Sequence, residues 1–177
     1  MSLINSNWHF GENASVKFSN DGIPSNYSNG LINSNCPTAT ISDENEDLLF
    51  STDGIKIFFP NGQEIPFNSN FSHNYQSVFI LPILNCKNEY AIITIDRHPE
   101  IKYSFDELVV HEPDIPVNSR LNFIIFNLTT RTFQPIQHFE ARNGFVFCEK
   151  IAVTLLGATY NIIALSRKIA SQPLDHI

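Results

Sequence analysis

Two dipeptides, Asp53-Gly54 and Asn61-Gly62, set the strongest limit on how this chain can fold. Each ends one short apolar run and opens another. Glycine accepts positive φ at no steric cost, so such pairs turn a strand back onto its neighbour. Residues 38–41, 48–51, 55–58 and 63–67 therefore read as four short strands. Residues 43–47 form a polar turn between the first two, and Asp53-Gly54 predicts a type I′ hairpin turn between the second and third.

The same grammar continues downstream. Residues 77–81 form a strand stopped by Pro82, which cannot donate to a ladder. Residues 85–88 turn, and 90–95 form a strand carrying the run Ile92-Ile93-Thr94-Ile95. Residues 96–100 turn around Pro99, and 101–108 give the next strand. Residues 121–127 are strongly strand-like, 128–131 turn, and 132–139 stay extended. Two more strands, 145–152 and 160–165, flank a turn containing Gly157. No stretch sustains a helical period with caps; residues 151–156 come nearest, and their β-branched content argues for a strand. Short strands at roughly 8–12-residue spacing point to an all-β fold of antiparallel meanders. Meanders repeating about every 40–50 residues favour a small or partial β-propeller of three to four blades, with a sandwich or barrel as the alternative.

Composition agrees with one such domain over residues 1–177, with 1–6 either disordered or foreign to the natural protein and 170–177 as a flexible tail. Hydrophobic residues make up 42%, enough for a substantial core, and 15 phenylalanines suit pleated half-buried surfaces. The net charge of −7 excludes a phosphate-backbone partner, which needs a positive footprint. No run approaches the roughly 18 apolar residues of a membrane span. Residues 1–10 lack the basic region and apolar run of a signal peptide. Cys36, Cys86 and Cys148 are too scattered for a disulfide framework or a zinc knuckle. Buried free thiols are expected, and a single disulfide stays open.

Beyond generic β structure lies one block of residues. It runs Asn7-Trp8-His9-Phe10-Gly11-Glu12-Asn13-Ala14, then Cys36-Pro37-Thr38-Ala39-Thr40-Ile41-Ser42-Asp43, then Leu48-Leu49-Phe50-Ser51-Thr52-Asp53-Gly54. It resembles the propeller-like region of large Bacteroidetes surface proteins, which often end in a gliding-motility or type IX secretion sorting domain. Their pattern reads W-x-F-G-x-x-A, then A-T-I-S-D, then L-L-F-Y-T-D-G. Further matches are residues 90–96, Lys102-Tyr103-Ser104, and Glu149-Lys150-Ile151-Ala152-Val153 leading to Tyr160-Asn161-Ile162-Ile163. The chain departs from the family at Ser51, where an aromatic residue is usual, near Ile57-Phe58, where a Val-Trp pair is usual, and at Asn161, where a Trp is usual. The resemblance implies an exported or cell-surface protein and a divergent, truncated propeller. With three to four blades at hand and about four to eight needed to close a ring, a fragment is expected, or a chain that covers its open edges by another route such as dimerisation.

Candidate chemistry is sparse. The acidic run Asp43, Glu44, Glu46 and Asp47 lacks the spacing and glycine of a calcium loop and reads as a charged turn. Asp96-Arg97-His98-Pro99-Glu100 and His111-Glu112-Pro113-Asp114 have the composition of loops. None of the six histidines is paired at i, i+2 or i, i+4 for a metal. Cys148-Glu149 sits in an apolar strand without a nucleophile signature. Trp8, the only tryptophan, reads as a core anchor for the first strand. The sequons at Asn13, Asn26, Asn70 and Asn127 reflect the abundance of asparagine. No catalytic, cofactor-binding or metal-binding residue is assigned, and no cofactor is expected.

The leading expectation is a non-enzymatic binding or scaffolding module, with a protein or carbohydrate ligand and an exposed apolar or aromatic patch on one loop face. The runner-up is a hydrolase or lyase acting on carbohydrates or lactones, which needs Asp43, Asp53, Asp96 and His98 to converge. A third reading is an assembly subunit that associates, with itself or a partner, through open sheet edges.

Overall fold

A computed structural model describes residues 6–19, 21–26, 30–34, 37–67, 78–95, 120–140, 145–156 and 159–168. Every regular element among them is a strand, and every pairing is antiparallel. The strands form four sheets in chain order. The first contains β1 (Asn7–His9), β2 (Ser15–Phe18) and β3 (Pro24–Asn26). The second contains β4 (Ala39–Ser42), β5 (Leu48–Thr52), β6 (Lys56–Phe58) and β7 (Glu64–Pro66). The third contains β8 (Val78–Pro82), β9 (Glu89–Ile95) and β10 (Arg120–Asn127), with β11 (Thr132–Phe133) and β12 (Gln137–Glu140) both paired to β10. The fourth is a long ribbon of β13 (Phe145–Leu156) and β14 (Thr159–Lys168). Among the described residues, no sheet closes into a barrel. The predicted strand at 101–108 and the turn at 96–100 lie outside the described residues.

Turn chemistry explains the meander. At the end of β4, the Asp43 carboxylate accepts bonds from the Asn45 and Asp47 amides, both at 2.9 Å. The acidic run is thus a self-capped turn, with Glu46 at φ 70°. The hairpin at Asp53-Gly54 exists but is not type I′. Thr52 pairs with Ile57, which leaves four residues in the loop, and only Gly54 takes positive φ, at 87°. Asp53 instead accepts bonds from the Ile55 and Lys56 amides, both at 2.9 Å. The capping bond competes with the positive φ that a type I′ turn demands, and it wins.

The four sheets stack face to face. β9 and β10 share a register in which Tyr90, Ile92 and Thr94 lie on one face with Phe126, Ile124 and Asn122. That face packs on Ile41, Phe50, Ile57 and Phe59 of the second sheet to make the main core. Phe50, Ile57, Ile92, Ile124 and Phe126 are fully buried. Each such side chain contributes on the order of 1.5–3 kcal/mol relative to exposure. The opposite face of the third sheet carries Ile93, Ile95, Phe79 and Phe123, and it packs on Phe147, Val153 and Ile162 of the ribbon. The third sheet is therefore covered on both sides, which is why β9 is apolar almost throughout instead of alternating.

The first sheet completes the stack through a polar junction. Asn7 and His9 are buried, while Trp8 between them is exposed. Asn7 Nδ2 donates to Ser42 Oγ at 2.7 Å and to the Glu46 carbonyl at 2.8 Å. His9 Nδ1 meets Ser51 Oγ at 3.2 Å. The Thr38 and Thr40 hydroxyls donate to the His9 and Asn7 carbonyls. Ser6 is buried, and its carbonyl accepts the Phe18 amide at 2.8 Å. A buried polar layer holds only while its members are satisfied, so it fixes how β1 sits on β4 and β5.

Candidate functional site

The outer face of the first sheet is the most distinctive surface. Alternation along β1 turns Asn7 and His9 inward and Trp8 outward. The register then places Val16 beside Trp8, and Phe18 beside Pro24, on that outward face. Trp8 meets Phe18 edge-on, with centroids 5.2 Å apart, and Phe10 at 6.3 Å. Trp8 is 47% exposed and Phe10 43%. Ile23, in the turn before β3, is also exposed. Trp8 is thus no core anchor: the inward positions of β1 belong to Asn7 and His9, and its ring lies on an aromatic ledge open to solvent. The ledge sits on a sheet face, not on the loop face expected from sequence.

Behind the ledge, burial pushes the His9 imidazole below its usual range. The buried ring disfavours a charge, so the unfolded chain binds the proton more tightly than the folded one. Its contribution to stability is complete above about pH 6.5 and is lost as pH falls below that value. The expected outcome is a first sheet that loosens in acid. Urea midpoints of the native chain and of His9→Gln, measured from pH 8 to pH 5, should diverge above pH 6.5 and converge below it. Parallel curves would remove His9 as the cause.

Of the residues that a hydrolytic site was expected to use, the two described ones, Asp43 and Asp53, do not come together. Asp43 and Asp53 lie beyond opposite ends of β5, a five-residue strand, so roughly 17 Å separates them. Each carboxylate is already spent on its own turn. Asp96, His98 and the His111-Glu112-Pro113-Asp114 segment lie outside the described residues. No group of three or more His, Cys, Asp or Glu among the described residues is placed to hold a metal ion. Cys86 is a free thiol in an exposed turn, contrary to the buried state expected of it, because the 83–88 connection passes over the surface.

Two features escaped the sequence. One is a polar row across the third sheet, in which the buried Asn122 donates to the buried Thr94 Oγ1 at 3.2 Å and meets Nδ1 of the exposed His138 at 2.5 Å. The other is a cleft of about 350 Å³ between the third sheet and the ribbon, lined by Leu81, Pro82, Ala91, Phe123, Tyr160 and Ile162. Burial raises the Tyr160 hydroxyl above its usual range, so it stays neutral. Among the described residues, no carboxylate or histidine lines the cleft. The alternation Asn7-Trp8-His9-Phe10 was the one available signal for the ledge and its polar underside.

Comparison of the chain with known protein families, curated proteins and solved structures finds no match.

Proposed function

We propose that this protein is a non-enzymatic binding or scaffolding module of propeller-like build, and that the aromatic ledge of its first sheet is the contact surface. The observation that carries this reading is the exposure of Trp8 and Phe10 on a face whose underside is fixed by buried hydrogen bonds. A sheet face held that rigidly presents its rings with little entropy left to lose on binding. Exposed aromatic side chains supply large contact area from few rotatable bonds, and they are frequent anchors of interfaces. A protein or carbohydrate surface is the class of ligand such a ledge accepts. The separation of Asp43 from Asp53, and the prior use of both carboxylates, gives no support to the hydrolase or lyase reading.

Trp8 is the only tryptophan, so its fluorescence reports on the ledge alone. The test titrates the chain with a panel of soluble oligosaccharides, and separately raises the concentration of the chain itself. A blue-shifted emission and weaker acrylamide quenching in either arm is the expected result. An indole that keeps the spectrum and quenching of a half-exposed ring in both arms would count against the ledge as a contact surface.

A further inference from the structure

Three edge strands are closed to further pairing by proline. β3, β7 and β8 each border a sheet, and they carry Pro24, Pro66 and Pro82. Bonds beside the ladders show which way these residues turn their backbone. The Ser19 amide donates to the Ile23 carbonyl at 3.0 Å, the Phe67 amide to Ile55 at 3.0 Å, and the Ile83 amide to Glu89 at 2.9 Å. Alternate residues of an antiparallel ladder bond inward, so the odd-numbered residues of β3, β7 and β8 face their neighbours and the three prolines face out. An N–H is missing where an added strand would need one. On β1, the Asn7 and His9 carbonyls are taken by the Thr40 and Thr38 hydroxyls next to β4. The ribbon blunts its edges with a register break between Phe147 and Ile151 on β13 and with Arg167-Lys168 at the end of β14.

β12 has no such device. It pairs with β10 alone among the described residues, and its four side chains are all exposed. The Gln134 amide donates to the Ile125 carbonyl at 2.9 Å, and the Leu128 amide to the Asn88 carbonyl at 2.7 Å. Odd-numbered residues of β10 therefore bond toward β11 and β12, and even-numbered ones toward β9. Leu121 stands opposite Phe139 and Phe123 opposite Gln137, so these residues of β12 bond inward. His138 and Glu140 turn their amides and carbonyls outward. Between them, on the other face of the strand, lies Phe139, 50% exposed.

The charges on this edge select what can pair with it. A two-fold axis at Glu140 would set two carboxylates opposite each other, and one at His138 would set Glu140 opposite Ile136. An axis at Phe139 sets His138 of each copy opposite Glu140 of the partner subunit. We propose that two copies of this chain pair antiparallel along β12 with the axis at Phe139. The outward amides and carbonyls of His138 and Glu140 then bond reciprocally, and each imidazole lies beside a carboxylate. The two Phe139 rings meet as a pair without backbone bonds between them, the position at which cross-strand side chains approach most closely. The contact is isologous, closes at a dimer, and joins the third sheets of both copies into one. It does not involve the aromatic ledge.

The test is sedimentation velocity on the full chain from micromolar to millimolar concentration. Three further samples are His138→Glu, Glu140→Lys and an equimolar mixture of the two. The native chain should dimerise. Each variant alone sets like charges opposite each other twice and should dimerise roughly tenfold or more weakly. In the mixture both pairs are again of opposite charge, so dimers should return, which also shows that both variants are folded. Should the variants not fold, amide exchange of the native chain, followed residue by residue by NMR at low and high concentration, decides instead. Slowing at His138 and Glu140, with Gln137 and Phe139 unchanged, supports the pairing.

A native chain that stays monomeric to millimolar concentration overturns the proposal. So do association that both variants leave intact, a mixture of folded variants that does not dimerise, and slowing centred on the first sheet or the ribbon. Trp8 emission distinguishes this contact from the ledge: dimerisation through β12 leaves it unchanged, and a blue shift with oligosaccharide supports the ledge whichever way β12 is decided.

Discussion

Replacing Phe126 by alanine is expected to lower unfolding stability by about 3–5 kcal/mol. Phe126 is fully buried on the face of the third sheet that meets the second. Its ring lies 4.9 Å from Phe133, 5.2 Å from Phe50 and 6.3 Å from Phe59, centroid to centroid. Truncation removes the partner of three aromatic contacts at once, and strands on either side are held by ladders that cannot collapse into the gap. Domains of this size are stable by only about 5–15 kcal/mol, so one ring accounts for a large share. Phe126→Leu keeps most of the volume and should cost less than about 1.5 kcal/mol. Urea unfolding followed by far-ultraviolet circular dichroism measures both. A midpoint for Phe126→Ala no lower than that for Phe126→Leu would falsify the junction between the second and third sheets as the main core.

Gly30→Ala is expected to destabilise by about 3 kcal/mol, with loss of order in the first sheet. A Cβ at residue 30 would overlap the backbone carbonyl of Asn13, and no rotamer change relieves a clash with backbone. Close by, the Asn13 amide donates to the Ile32 carbonyl at 2.8 Å, and Ile32 is fully buried. The added methyl group must therefore push residues 30–34 away from the β1–β2 turn, and the Asn13 bond and the Ile32 burial are lost together. Gly62→Ala is the control. At φ +80°, with nothing within 4 Å of the added atom, it meets only the conformational penalty of about 1–2 kcal/mol. Trp8 emission should shift to the red in Gly30→Ala and stay put in Gly62→Ala. Equal urea midpoints for the two would mean that residues 30–34 do not pin the turn.

Both expectations depend on contacts between residues distant in sequence, and this marks where sequence reading stops. The strand read at 121–127 and the turns read at 43–47, at Asn61-Gly62 and at 85–88 were legible because turn chemistry is local. Asn85 and Asn88 adopt positive φ, at 64° and 62°, and Gly62 does so at 80°. The hairpin at 52–57 was legible in place but not in type, since Asp53 could either adopt positive φ or cap the following amides. Only the folded loop shows which. For the candidate site, the residues of β1 were visible as an alternation, but Trp8 was assigned to the wrong side. A large apolar ring is the natural choice for a core, and nothing local revealed that hydroxyls at Thr40, Ser42 and Ser51 would line the facing sheet.

The all-β class and the order of antiparallel meanders are local properties, because glycine and asparagine turns and a period of two act over a few residues. Which face of each sheet is covered depends on packing between sheets. Alternation divides a strand into two faces without saying which one meets a neighbour. β9 is apolar along nearly its whole length because sheets lie on both sides of it. In β1 the polar Asn7 and His9 go inside because their partners across the junction are hydroxyls and a carbonyl. Burial follows from what the opposing surface can satisfy, and that surface is assembled from residues some 30–40 positions away in the chain.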